Sequence, residues 1–170
     1  MMVFEDRNVD VDAVKKVFSR FMVKDSVKSV KGTEFPAFFD HTVTQQEFDQ
    51  WMQVFYKYRG DLLTGGLCIK EYLDLKRYGD KTNEYRVFYA ERQIISICRN
   101  LLQPACADAS PAELITKYTG LKSPCYTIDY AQLADGTWKI IEAGDGSVSG
   151  LSPGQDQQAY YRALYQALKR

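Results

Sequence analysis

The stretch that most constrains the chain runs from Tyr126 to Gly150, YTIDYAQLADGTWKIIEAGDGSVSG. Two runs of alternating apolar and polar residues flank Asp135-Gly136. That dipeptide suits a two-residue type I′ turn, in which both central residues need a positive φ. A two-residue loop pairs Ala134 with Thr137, Leu133 with Trp138 and, further back, Asp129 with Glu142. Directly paired residues share a face, with Cβ atoms roughly 4.5–5.5 Å apart. Two carboxylates then sit side by side. At about 5 Å and an effective dielectric of about 20, their repulsion is on the order of 3 kcal/mol. A proton or a cation is expected between them, and a magnesium ion, which takes carboxylate oxygens with phosphate and water, is the natural candidate. A three-residue loop with a bulge would shift the pairing and separate the two acids.

A chain of 170 residues, 45% of them hydrophobic, has enough apolar matter for one domain or two small lobes. Lys plus Arg balances Asp plus Glu at 22 each. That balance argues against a general binder of nucleic acid or of membrane surfaces. Cys68, Cys98, Cys106 and Cys125 show no CxxC spacing and His41 is the only histidine, so no zinc site can be read from them. Neither a signal pattern nor an apolar run near membrane-spanning length is present. Free thiols and a cytoplasmic location are the expectation.

In chain order, Asp12 to Ser19 is predicted to be a short helix capped by Asp10 or Asp12, with Val14, Val17 and Phe18 as its stripe. Phe21 to Lys24 reads as a strand, followed by a small polar loop carrying Lys28, Lys31 and Gly32. Such a loop is either a phosphate cradle of lysine charges and free backbone N–H groups, or a solvated basic turn; the segment alone favours the turn. Thr44 to Glu47 is a capping box, and the helix after it carries Phe48, Trp51, Met52 and Phe55 on one face, ending near Arg59 with Gly60 as a left-handed cap. His41, just before it, reads as a loop hydrogen-bonding group. Leu67 to Leu75 is a strand, with Cys68, Lys70 and Tyr72 on one face and Leu67, Ile69 and Glu71 on the other. Glu84 to Tyr89 is another, paired through a turn with QIISIC; Arg86 there either bridges to Glu84 or serves as an anion clamp. Ser110 to Glu113 reads as a second capping box with Pro111 at the first helical position. Asp156 caps a terminal helix whose Tyr160, Tyr161, Leu164, Tyr165 and Leu168 are expected to pack. Helices alternate with hairpins, which implies an α+β architecture with antiparallel sheets. A seam near Arg77 to Asn83 divides the chain into an N-terminal lobe, residues 1–76, and a C-terminal lobe, residues 77–170.

The order of these segments resembles an ATP-grasp domain, and within that family the bacterial and phage clade named for one arginine and two lysines. FMVKDSVKSVKG is similar to its lysine strand and loop, CIKEYLDL to its hinge strand, EYRVFY to its arginine strand and IDYAQLADGTWKIIEAGDG to its metal-binding hairpin. The resemblance covers roughly residues 17–165. It implies two small lobes with a nucleotide cleft between them, ATP and Mg2+ as cofactors, and amide formation between a carboxylate and an amine through an acyl phosphate. It assigns Lys24 to the phosphates with Lys28 and Lys70, and Glu71, Tyr72 and Leu73 to the adenine and ribose. Arg86 goes to the transferring phosphoryl group, so that Arg86 and Lys24 are the catalytic pair, and Asp129, Glu142 and Asp145 to the metal. The family usually reads Glu-x-Asn after the last strand; here Gly144 takes the asparagine's place, and Asp145 is the candidate replacement ligand. Little precedes Lys24, whereas most relatives carry a preceding domain for the acceptor substrate, so a separate N-terminal domain or partner protein is expected. That His41 is the only histidine counts against Ser-His-Asp and Cys-His hydrolases. Two alternatives remain open: an ATP-binding module without ligase activity, and an unrelated α+β interaction domain.

Overall fold

The computed structural model describes residues 1–99 and 102–169. The chain forms two compact units, Met1–Leu73 and Asp74–Arg170. The first contains β1 (Met2–Phe4), α1 (Val11–Lys15), β2 (Arg20–Asp25), β3 (Phe39–Asp40), α2 (Gln45–Arg59) and β4 (Leu67–Glu71). Its strands make one antiparallel sheet in the order β1-β4-β2-β3. Both helices cover one face. Val11 and Val14 of α1 and Phe48, Met52 and Phe55 of α2 are buried with Phe21, Val23, Phe39, Leu67 and Ile69 from the strands.

Local chemistry explains the helix limits. The Asp10 side chain accepts from Ala13 N and starts α1, which ends at Lys15, short of the expected Ser19, and leaves Val17 59% exposed. Thr44 and Glu47 form the expected capping box, and α2 ends at Arg59 as predicted. Gly60 has a positive φ of 44° but a ψ of −131°, so it leads into a 3-10 turn, Gly60–Leu62, and is not a left-handed cap. Strand β4 ends at Glu71, shorter than the expected Leu67–Leu75.

The second unit contains β5 (Arg77–Tyr78), β6 (Lys81–Thr82), β7 (Glu84–Ala90), β8 (Gln93–Arg99), α3 (Ala112–Lys117), β9 (Cys125–Gln132), β10 (Trp138–Asp145) and α4 (Gln157–Leu168). Strands β5 and β6 form a small separate hairpin, and the main antiparallel sheet has the order β10-β9-β7-β8. Alternation sends Val87, Tyr89, Tyr126, Ile128 and Tyr130 to one face, where they bury Ile115 of α3. The Tyr89 hydroxyl donates to Ile115 O at 3.0 Å and lies 2.7 Å from the Tyr130 hydroxyl, so the polar ends of this core are paired. On the other face Phe88 meets Tyr160 of α4, ring centroids 4.9 Å apart, and Gln155 donates to the Ser96 hydroxyl.

Two expectations fail here. The second capping box does not form, because Pro111 occupies the N-cap position itself and Ser110 falls one residue too early to reach the N3 amide. The aromatic stripe of α4 does not pack as a whole: Tyr160 and Ala167 are buried, but Tyr161, Tyr165 and Leu168 are 60%, 59% and 51% exposed.

Candidate functional site

In the first unit, Lys24 lies opposite Cys68 and Met22 opposite Lys70. Paired residues share a face, so Lys24 and Lys70 are diagonal neighbours on the face of the sheet away from the helices. Tyr72 N donates to Arg20 O and continues that register. The Tyr72 ring stacks on Phe38 at 4.4 Å, and the Arg20 guanidinium sits 5.7 Å from the Tyr72 centroid. Glu71 lies opposite Phe21, on the other side of the strand from Lys70 and Tyr72, and Leu73 follows the strand half-buried.

Lys28 stands on an anchored turn. Strand β2 runs one residue beyond Lys24, and alternation sends Asp25 inward beside Phe21 and Val23, where it is fully buried. Its carboxylate accepts from Val27 N at 2.7 Å and Lys28 N at 2.6 Å through Oδ1, and from Arg59 Nε at 2.7 Å and Thr64 N at 3.3 Å through Oδ2. Burial pushes this carboxyl's pKa up; the hydrogen bonds from Lys28, Val27, Arg59 and Thr64 outweigh it and hold the group below the usual carboxylate value. The backbone N–H groups of Val27 and Lys28 are therefore taken up by Asp25, which corrects the picture of a cradle of free N–H groups starting at Lys24. Asp25 is the residue that motif reading passed over. Its signal was a charge at the inward position of an alternating strand.

In the second unit, a three-residue loop of Ala134, Asp135 and Gly136 joins β9 to β10, closed by Leu133 N donating to Thr137 O at 2.7 Å, with Gly136 at φ 92°. This replaces the two-residue turn, so Trp138 pairs with Gln132, one residue from the expected Leu133. A bulge between Ile140 and Glu142 then shifts the register back, and Glu142 lies opposite Asp129. The two acids are cross-strand partners after all. Arg86 of β7 lies opposite Asp129 on its other side. Arg86, Asp129 and Glu142 thus form a row across three adjacent strands.

The cation beside the paired acids is an arginine. Arg86 Nε donates to Asp129 Oδ1 at 2.8 Å and Nη2 to Oδ2 at 2.7 Å, a bidentate fork, while Nη1 donates to Gly150 O at 3.1 Å. The hydrogen bonds to Asp129 raise the Arg86 pKa against the effect of burial, and the charges of Asp129, Glu142 and Glu84 add to the rise. Glu84 accepts from the Thr82 hydroxyl and does not bridge to Arg86. A cleft of about 260 Å³ opens here, lined by Glu84, Arg86, Asp129 and residues 150–153. Two adjacent carboxylates match what Mg2+ takes from a protein when phosphates and water fill its other positions. Asp145 does not join them. It lies opposite Tyr126, on the alternate side of β10, and its carboxylate accepts from Ser147 N at 2.8 Å and from the Ser147 hydroxyl at 2.7 Å. Among the described residues no three His, Cys, Asp or Glu side chains cluster as a metal site. Gly144 lies opposite Thr127 on the face of Asp129 and Glu142, and a Cβ there would meet Thr127 Oγ1 at 3.5 Å, an ordinary contact.

Fold and site together describe an ATP-grasp domain. The chain matches an ATP-grasp domain family, the third of the clade named for one arginine and two lysines, over residues 12–164 and belongs to it. No curated protein matches it in sequence. Among solved structures, the ATP-grasp ligase PsnB complexed with a phosphomimetic variant of minimal precursor, Mg and ADP is 14% identical; the match covers 98% of this chain and 52% of that one, with a TM-score of 0.56. N5-carboxyaminoimidazole synthetase from Staphylococcus aureus complexed with ADP is 11% identical over 85% of this chain and 38% of that one, with a TM-score of 0.52. The likeness is one of fold, and the chain spans about half the length of the first and less of the second. No helix among the described residues is long and apolar enough to cross a membrane.

Proposed function

We propose that the chain carries the nucleotide chemistry of an ATP-dependent, amide-forming carboxylate–amine ligase that works through an acyl phosphate. The observation that carries this reading is the row of Arg86, Asp129 and Glu142 across β7, β9 and β10, in a chain of the ATP-grasp family. Lys24, Lys28 and Lys70 neutralise the triphosphate, and Tyr72 with Leu73 receives the base and ribose, while Glu71, on the other side of the strand, is left out of that set. Asp129 and Glu142 hold Mg2+, which supplies charge neutralisation at the phosphate oxygens. Arg86 stabilises charge on the phosphoryl group as it transfers, with Asp129 and the Gly150 carbonyl fixing the plane of its guanidinium. The substrate class is a carboxylate and an amine, on small molecules or on peptides; PsnB, of related fold, was solved with a minimal precursor. A preceding domain or a partner protein completes the acceptor site.

Gly144 favours a second reading. It stands where the family resemblance calls for a metal-bridging asparagine, and Asp145 faces away, so the chain has the fuller ligand set only in part, as a nucleotide-binding module would. The experiment is a thermal melt with Mg-ATP and with ATP plus EDTA, followed by ADP release over a panel of acids and amines. Ligase activity requires a magnesium-dependent rise in melting temperature and turnover with at least one pair. Binding without turnover across the panel supports the module, and no nucleotide response at all defeats both.

A further inference from the structure

We propose that Asp25, locked by Arg59, is a positioning residue that presents Lys28 to the nucleotide phosphates. The inference rests on the assignment of Lys28 to the triphosphate made above. Its grounds are geometric. Lys28 is tied to Asp25 twice, once through its N–H to Oδ1 at 2.6 Å and once through its carbonyl, which accepts from Asp25 N at 2.9 Å. The carboxylate's other oxygen meets Arg59 Nη2 at 2.6 Å, and the two side chains are 0% and 10% exposed. Arg59 also donates to Leu62 O at 2.7 Å, while Ser26 N donates to Thr64 O at 3.1 Å. One buried carboxylate therefore joins the end of β2, the Lys28 turn, the last turn of α2 and the approach to β4.

Such a pair is a poor choice for stability alone. Desolvating two charges often costs more than their attraction returns, and apolar residues of similar volume frequently do as well. What the pair supplies is a fixed backbone under a long, flexible side chain. A lysine on a loose turn must have its backbone ordered when ligand binds, at a cost in affinity; a lysine on a pinned turn has only its own side chain left to order. The anchoring also sets where motion can begin. Residues 25–28 belong to the rigid part of the unit, and any closing movement of the loop starts beyond Lys28.

The test is a double-mutant cycle on Mg-ATP affinity, measured by calorimetry well below the melting temperature. Asp25→Ala and Lys28→Ala should each weaken binding about tenfold, the scale of ordering one segment. The double variant should bind no worse than Lys28→Ala alone, because a residue that acts through Lys28 has nothing left to act on. An unchanged affinity in Asp25→Ala, or losses that multiply to about a hundredfold in the double variant, would overturn the proposal. Should Asp25→Ala fail to fold, Asp25→Ala with Arg59→Met leaves no buried charge unpaired and takes its place in the cycle. A readout without nucleotide separates this proposal from the ligase reading. Tryptic cleavage after Lys28 should accelerate on the order of tenfold in the Asp25 variant relative to wild type, as the local opening of the turn becomes easier. Wild type that ignores Mg-ATP while this acceleration holds defeats the phosphate assignment and leaves the anchor standing. Unchanged cleavage defeats the anchor.

Discussion

Asp129 lies between a positive and a negative neighbour, and Asp129→Asn should reveal which dominates. The fork from Arg86 places the opposite charges roughly 4 Å apart, an attraction of about 4 kcal/mol at an effective dielectric of about 20. Glu142, its partner on the other side, is exposed. Water screens that repulsion towards the bulk limit of about 1 kcal/mol at about 5 Å. Attraction wins. The side chains of Arg86 and Asp129 are 32% and 15% exposed, between the surface pairs that contribute about 0–1 kcal/mol and the buried pairs whose breakage costs about 3–5. A loss of about 2 kcal/mol is expected for Asp129→Asn without ligand, a fall in melting temperature of roughly 4–8 °C for a chain of this size. Glu142→Gln should change the ligand-free melt much less, since it removes both a repulsion from Asp129 and an attraction to Arg86 at an exposed, screened position. The assay is thermal and urea denaturation of the three proteins, repeated with Mg-ATP, in which both variants lose the magnesium-dependent increment. A melting temperature for Asp129→Asn at or above that of wild type would mean that the fork contributes nothing, and the electrostatic account of the row would be wrong.

Two further outcomes follow from the geometry. The folded pKa of Asp25 is depressed, so its stabilisation is fully present above the unfolded carboxylate value near about 4 and is lost as the pH falls through the folded value; a series of urea melts from about pH 7 downwards should show a loss that begins only below about pH 4 and that Asp25→Asn with Arg59→Gln largely removes. At Gly146 an added Cβ would lie 2.9 Å from Tyr126 N and 3.1 Å from the Cys125 carbonyl carbon, both backbone, so Gly146→Ala should destabilise by about 1–3 kcal/mol in a urea melt.

What could be read from the sequence was whatever depends on local chemistry. The α2 box was legible because Thr44 and Glu47 satisfy each other across one turn. The Ser110 box was not, since the same pattern fails when proline takes the cap position. On α4 the large apolar residues suggested one buried stripe, yet the helix sits down on Tyr160 and Ala167 with Ala163 and Leu164 half-buried between them, a face offset from Tyr161 and Tyr165. Hydrophobicity marks what can be buried; alanines mark where a helix can come close to a sheet, and only the packed partner decides between them. Asp25 escaped for a related reason. A charged residue in a strand reads as solvent-facing unless its partner is known, and Arg59 is 34 residues away in sequence.

The pairing of Asp129 with Glu142 is the instructive case, because the expected register arrived by an unexpected route. The hairpin loop is one residue longer than an Asp-Gly type I′ turn, which would set every later pair off by one and turn the glutamate to the opposite face of the sheet. The bulge at Ile141 takes up that residue before Glu142 is reached. Neither device is visible alone: a three-residue loop and a two-residue loop both accept Asp-Gly, and a bulge carries no fixed residue signature. The burial of Tyr130 and Ile128 against α3 sends Asp129 to the other face, and the bulge is what brings Glu142 to that same face. The acids are then held side by side by the register of the sheet, and the charge of Asp129 is met locally by Arg86. The fork answers the charge of Asp129 from within the sheet, and Glu142 beside it stays exposed.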